Sequence, residues 1–415
     1  MNSPDAASAP PTRARAGARV TATLAMLAMI GPFTIDTVFP AFGRIGAEFG
    51  SDEVALQQLV SAYLASFAIM SVFHGPLSDA LGRKKVMIGG LVIYTAAMVA
   101  SAFAPDLGVL IALRIVQGAS AGAATIVSRV VIRDLFSGAE AQRLMASVMM
   151  IFSVAPAIAP ILGGWVLLLG SWRLVFLAIS VYALVVIALT VLLPETLPPE
   201  RRSPLQVRAI LGSLLRVGRS GRMLRLAIGS AFGFAAQFIY IAGASIFVTR
   251  LLGMGEQDFW VLFLPLIIGM IAGAWVTGRT ADRVPRPRLI TLALLATLLS
   301  AVINVILARL GPPVDGTLGW GALVAVIGPL LIAFSVAVFF SPIQLEILDL
   351  FPHERGTAAS LSTFFSLVLN ALLAGVITPI VMVDLGSVAL TSLGFIVLSL
   401  MLWGWHLRTE ARRSD

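Results

Sequence analysis

The chain has 415 residues, of which 58% are apolar and 12% charged, with a formal net charge of +8 and a pI near 10.8. That charged share is about half the ~25% of soluble domains, too little to coat two or three of them, whereas twelve helices of ~20 residues spanning a bilayer would absorb nearly all the apolar positions. Cysteine is absent, which excludes disulfides, thiolate metal sites and Cys nucleophiles, and three scattered histidines (His74, His353, His406) do not make a metal cluster.

Residues 1–18 are rich in Pro, Ala and Ser with three Arg nearby, and read as a disordered tail. The apolar run that follows continues past Pro40 without a cleavage site, so it is a span and not a leader. Apolar runs then predict crossings near 20–42, 55–78, 86–104, 107–132, 142–169, 173–194, 223–250, 258–280, 288–310, 318–345, 356–383 and 387–407. Turn chemistry separates them, as at Ala104-Pro105-Asp106 and Gly311-Pro312-Pro313. The expected fold is an all-α membrane protein of two six-helix bundles, 19–195 and 223–408, joined by a linker, 196–222, and followed by a short tail, 409–415. Within the linker, Leu205, Ile210, Leu211, Leu214 and Leu215 recur at helical spacing beside Arg208, Arg216 and Arg219, predicting an amphipathic helix on a membrane surface.

An even number of crossings brings both termini to one side. Of the 29 basic residues, 23 fall on that side and four, Arg44, Arg173, Arg250 and Arg309, on the other. The positive-inside rule therefore puts both termini in the cytoplasm, here of a bacterial inner membrane. The basic charge faces anionic lipid head groups, and nucleic acid is excluded as a partner. The halves also repeat: Gly75-Pro-Leu-Ser-Asp79 closes the second span and Gly278-Arg-Thr-Ala-Asp282 the eighth. A duplicated six-span unit is a transporter architecture, with its substrate site between the halves near mid-membrane.

Charges within spans are costly and usually functional. Asp36 lies about six residues from the outer end of the first span and Arg114 about seven into the fourth, so both are about 10 Å deep at 1.5 Å per residue. Matching depths let them approach. Asp36 is the expected proton carrier, its occupancy contested by cargo, with Arg114 as its neighbour. Weaker candidates for the substrate cavity are Gln58, Tyr63, Gln237 and Tyr240, with interhelical hydrogen bonding as the competing reading for each. Asn370 reads as packing glue, Glu346 and Asp349 as gate or surface residues, and His74 as packing.

Gly75-Pro-Leu-Ser-Asp79-Ala-Leu-Gly82-Arg83-Lys84-Lys85 resembles the loop signature of the major facilitator superfamily, departing at Ala80, where Arg is usual. The resemblance implies a cytoplasmic gate made by Gly75, Asp79, Gly82, Arg83 and Lys84, with Asp134 as the acidic partner of Arg83 and Asp282 as the second-half counterpart. Asp79 is expected to accept bonds from a neighbouring helix N-terminus. Arg114-Ile-Val-Gln117-Gly118 and Ala155-Pro156 to Ala159-Pro160-Ile-Leu-Gly163-Gly164 resemble drug:proton antiporter motifs. Pro156, Pro160, Gly163 and Gly164 would then bend the fifth span. Pro194-Glu-Thr-Leu197, Arg133-Asp134-Leu135 and Phe238-Ile-Tyr240-Ile241 are similar to the bicyclomycin/chloramphenicol-resistance (Bcr/CflA) family, which commonly has Pro where this chain has Ile246. The resemblance implies proton-coupled efflux of small amphipathic drugs by alternating access, with a dedicated exporter of a metabolite or amino-acid derivative as the alternative. Protons are the coupling ion; no other cofactor, no metal and no enzymatic activity is expected, and the chain is expected to be a monomer. A phosphate-binding loop and a nucleophile–base set are both missing from the sequence.

Overall fold

A computed structural model describes residues 18–136, 144, 148, 155–156, 158–202, 204–280, 283–352 and 354–414, and those residues are helical wherever they are not in turns. The helices are α1 (Ala18–Asp36), α2 (Phe42–Phe49), α3 (Glu53–Leu81), α4 (Arg83–Ser101), α5 (Leu107–Leu135), α6 (Ile158–Leu167), α7 (Arg173–Val191), α8 (Val207–Gly218), α9 (Gly221–Ala242), α10 (Trp260–Thr280), α11 (Arg286–Leu310), α12 (Trp320–Asp349), α13 (Arg355–Leu372), α14 (Thr378–Val381) and α15 (Leu385–Ser414). Among the described residues, eleven helical stretches are long and apolar enough to cross a membrane, and α6 adds a shorter apolar helix. This is a multi-pass membrane protein. The expected tail at 1–18 lies outside the described residues except for Ala18, whereas 409–414 continue α15.

Local chemistry sets the boundaries. Asp52 caps α3 by accepting from Ala55 N at 2.8 Å, and Asp106 caps α5 by accepting from Val109 N at 2.9 Å. Gly50 ends α2 in the left-handed region at φ 60°. The first span differs from expectation. It breaks after Asp36, passes through a tight turn at Phe39–Ala41 and resumes as α2, so the stretch runs Arg19–Phe49 rather than stopping near 42. Two further irregularities are wide π-turns, Ile246–Leu251 after α9 and Leu373–Ile377 after α13. The first begins at Ile246, and Leu252 N bonds to Phe247 O at 2.9 Å. A π-turn thus supplies an irregularity where relatives are expected to have Pro.

The first half packs α3 and α4 against α5, with α1 against α5 and α7; the second packs α10 and α11 against α12 and α9 against α15. Arg19 bonds to Leu192 O, and Arg222 pairs with Glu410 at 2.5 Å, so the start of α1 meets the end of α7 and the start of α9 meets the end of α15. These ends define the terminal face; the other is the distal face. The halves meet chiefly through α3 and the α13 stretch. Between the halves lies α8, resting on α13 and α9.

Candidate functional site

The intramembrane charges come first. Asp36, the last residue of α1, is 2% exposed, and Arg114, two turns into α5, is 1% exposed. Both are buried, but they do not form an ion pair. Arg114 Nε donates to Leu59 O at 2.9 Å, and its Nη1 donates to Thr34 O at 3.3 Å and to Gln117 Oε1 at 3.1 Å. Its guanidinium carbon lies 4.8 Å from the Tyr63 ring centroid. Gln117 passes the network on to Ser101 Oγ at 2.8 Å, and Thr34 bonds to Tyr94. The expected Asp36–Arg114 pair is absent among the described residues because Arg114 has other partners. The guanidinium is taken up by the main-chain carbonyls of Leu59 and Thr34 and by the Gln117 amide oxygen, so its donors are met without a carboxylate. Matching depth permits the pair, but neutral acceptors hold the guanidinium instead.

Asp36 stands at the end of α1, where the helix breaks. Just beyond it, a Cβ on Gly163 would strike the Thr37 carbonyl, so α6 touches α1 there through a glycine. A Cβ on Gly164 would lie 2.7 Å from Glu256 O, across the boundary into the second half. The two glycines of the fifth span thus serve close contact at the distal seam. Pro156 and Pro160 lie in helical conformation ahead of them.

Among the described residues, four side-chain links cross that seam. Arg44 Nη2 pairs with Glu256 Oε2 at 2.7 Å, and Arg250 pairs with Glu53. Gln58 Nε2 donates to Gly375 O at 2.9 Å, and Ser61 Oγ donates to Ala371 O at 2.9 Å. Gly375 sits inside the second π-turn, and a Cβ there would overlap Ser61. Gln58 accordingly joins the halves at the distal seam. The Arg44 guanidinium also donates to Leu167 O at 2.9 Å and to Gly170 O, tying α2 to the end of α6. A cavity of about 690 Å³ opens beside these links, lined by Phe42, Gly46, Asp52, Glu53, Arg250 and Pro379 among others. The hydrophobic pattern did not single out Arg44, Glu53, Arg250 or Glu256, because each looks like an ordinary loop charge until its partner in the other half is seen.

The terminal face carries the loop signature. Arg83 Nη1 pairs with Asp79 Oδ1 at 2.5 Å, and its Nε with Asp134 Oδ2 at 3.2 Å. The expected helix-end acceptor is a different residue: Glu195, not Asp79, receives Arg83 N at 3.0 Å and Lys84 N at 3.3 Å. Its carboxylate thereby satisfies the start of α4, where the helix dipole favours a negative charge. Thr196 Oγ1 adds a bond to Asp134 at 2.9 Å, and Lys84 Nζ donates to Val191 O at 2.6 Å. The Pro194-Glu-Thr-Leu197 motif thus belongs to the same cluster as the 75–85 loop. Gly82 takes φ 103°, a conformation open to glycine, with Arg202 of the linker packed over it. Gly75 is half-buried within α3, and Asp282 lies outside the described residues.

The remaining candidates divide. Tyr63 is fully buried beneath Arg114. The Tyr240 hydroxyl receives Asn304 Nδ2 at 2.5 Å inside the second half, so its polar end is committed to packing with α11. Gln237 is 1% exposed with Nε2 unpartnered, and Asn370, read as glue, leaves Oδ1 unpartnered. Gln57 is fully buried with neither amide atom bonded. His74 packs against Gly122, while Asp349 pairs with Arg286 at 2.6 Å at the end of α12.

The family model described as Major Facilitator Superfamily matches residues 22–374. Among curated proteins, the chain is 29% identical over 296 residues to the uncharacterized MFS-type transporter YdgK of Bacillus subtilis, covering 70% of this chain and 73% of that protein. It is 27% identical over 289 residues to the bicyclomycin resistance protein homolog of Haemophilus influenzae (69% and 73%). Against multidrug resistance protein MdtM of Salmonella typhimurium it is 27% identical over 308 residues (74% and 73%). Among solved structures, it superposes on a D-xylose-proton symporter with TM-score 0.69 at 16% identity, covering 93% of this chain and 96% of that one. A bacterial homolog of the lysosomal transporter Spinster, in an inward-facing and unoccupied conformation, gives TM-score 0.70 at 14% identity, covering 96% and 97%.

Proposed function

Because the chain belongs to the major facilitator superfamily, we propose that it is a proton-coupled exporter of small amphipathic molecules, working by alternating access between its two halves. The names of its relatives, bicyclomycin resistance protein homolog and multidrug resistance proteins, support drugs and similar xenobiotics as the cargo. The distribution of Arg and Lys supports a bacterial inner membrane with both termini in the cytoplasm. In that orientation, the bonds gathered at the distal seam describe an inward-facing state, closed on the outside. A monomer suffices, since both halves of the site lie in one chain.

One observation carries the coupling: Asp36 is an acid with no ion-pair partner among the described residues, buried where α1 breaks and next to Thr37, which α6 touches. A carboxyl held in such a place is expensive and is expected to be functional. Protonation would discharge it, and the break at 37–41 would let the change in charge move α2 and the distal seam. Arg114 stays with its carbonyls and keeps α1, α3 and α5 in register, so its role is positional. Export then alternates: cargo enters from the terminal face, the distal seam parts, and a proton arriving from outside restores the closed seam.

The test is transport in proteoliposomes with an imposed pH gradient. Ethidium and chloramphenicol serve as probes, and proton release is followed with an internal pH dye. Wild type should release protons on addition of at least one probe. Asp36→Asn should abolish proton release and gradient-driven accumulation while still binding the probe. Full proton-driven transport by Asp36→Asn would overturn the assignment.

A further inference from the structure

The 201–222 segment holds six Arg and no acidic residue, and α8 lies within it. One flank of α8 is held by protein. Ser213 Oγ donates to Glu354 Oε1 at 2.8 Å and lies 3.1 Å from Thr357 Oγ1, Arg216 pairs with Glu354 at 3.0 Å, and Val217 is fully buried. The next flank is not covered. Val207, Leu211 and Leu215, at i, i+4 and i+8, are 45%, 46% and 61% exposed, and Leu205 ahead of the helix is 43% exposed. At the C-terminal end of α8, Gly218 meets Leu361 of α13 on the azimuth of Val207 and Leu211, so protein contact ends the stripe there. Arg208 and Arg219 lie along the far border of this apolar stripe, both exposed. Three residues after α8 ends, α9 starts and crosses the membrane. The stripe therefore sits at the depth where a bilayer surface begins.

We propose that α8 is a docking surface for the anionic leaflet on the terminal side, with the apolar stripe among the upper acyl carbons and Arg208 and Arg219 on lipid phosphates. The charge and apolar pattern together fit this occupant: a zwitterionic surface satisfies the stripe but not the cations, and a soluble acidic partner the reverse. Through Glu354, which directly precedes α13, the docked helix also holds the gate helix whose other end carries Ala371 and Gly375 of the distal seam. The inference goes beyond the export reading and needs only that the chain spans a bilayer.

The chain has no cysteine, so Leu211→Cys carries a single environment-sensitive fluorophore, and Gly212→Cys, on the Arg side of the helix, serves as the reference. Each full-length labelled protein is placed in nanodiscs of phosphatidylcholine alone or with 30% phosphatidylglycerol. Nitroxide lipids labelled near the head group and aqueous iodide are the quenchers. At 211, the lipid nitroxide should quench strongly in the anionic discs and iodide weakly, with the reverse at 212. Each Arg at such a surface is worth about a fivefold change in partitioning. Arg208→Gln with Arg219→Gln should therefore lower the docked fraction about 25-fold, and 0.5 M salt should do likewise. The double variant alters only exposed side chains, and its monodispersity in the same discs verifies folding. Iodide quenching at 211 that is equal in both lipids, or lipid quenching indifferent to phosphatidylglycerol and to the two Arg, would overturn the proposal. Neither readout involves cargo or protons, so failure here leaves the export reading standing, and the converse also holds.

Discussion

Gln58→Ala combined with Ser61→Ala removes two of the four links across the distal seam without altering any charge. Each side chain donates to a backbone carbonyl at 2.9 Å. A bond of this kind contributes about 1 kcal/mol net, so losing both weakens the closed seam by about 2 kcal/mol. At 1.36 kcal/mol per tenfold, the closed-to-open ratio should fall about thirtyfold. The two ion pairs remain, but they are partly exposed, with side chains 26–45% accessible, and contribute less than their distances suggest. The assay is a spin-label distance between Phe103→Cys and Leu310→Cys, exposed distal-face positions in opposite halves, read on an otherwise cysteine-free chain. The double variant should shift the distribution towards longer separations, whereas wild type stays short. An unchanged distribution in the double variant would mean that the two bonds do not hold the seam, and the gating account built on them would fall.

Gly164→Ala should act on the same seam by sterics, since its Cβ would press on the Glu256 carbonyl; the same label pair should lengthen, with Gly212→Ala as an unaffected control. Glu195→Ala removes the acceptor for two backbone N–H groups at the start of α4 and should cost about 1 kcal/mol, read as a lower unfolding midpoint in detergent, with Glu195→Gln recovering part of it. The Ser213 hydroxyl, followed by the Arg216 guanidinium, holds the Glu354 carboxyl below its ordinary value of 4.5. Its contribution to seating α8 is therefore complete above pH 4.5 and is lost as pH falls through and below that value. Protease cleavage within α8 should accelerate over that window in wild type, while Glu354→Gln should show a fast, pH-independent background at every pH; identical profiles would remove Glu354 as the clamp.

Several parts of the site were legible because they are local in the chain. Arg114 and Gln117 are three residues apart on one helix, so their contact follows from spacing alone. Asp79 and Arg83 are also near neighbours, and Gly82 between them marks a turn that a side chain would strain. Other parts were not legible because they depend on rotation. Asp36 and Arg114 have suitable depths, yet no sequence rule says which acceptors a buried guanidinium will meet. Tyr240 sits on a promising helix, but its hydroxyl turns to Asn304 inside the bundle. Glu195 was visible only as part of a motif, since its role is to cap a helix that begins 112 residues earlier.

Composition, apolar run length and the placement of Arg and Lys were enough to establish a membrane-spanning chain of two related halves, because bilayer thickness and lipid charge act on residues one at a time. Turn chemistry located most span ends for the same reason. The tertiary structure alone decided which polar groups meet. Gln58 and Gly375 are 317 residues apart, and Arg44 and Glu256 are 212 apart. Contacts at that separation are set by the tilt and rotation of packed helices and by the π-turns that bend them. Hydropathy is blind to those quantities, since an apolar helix rotated about its own axis keeps the same sequence while exchanging all its neighbours.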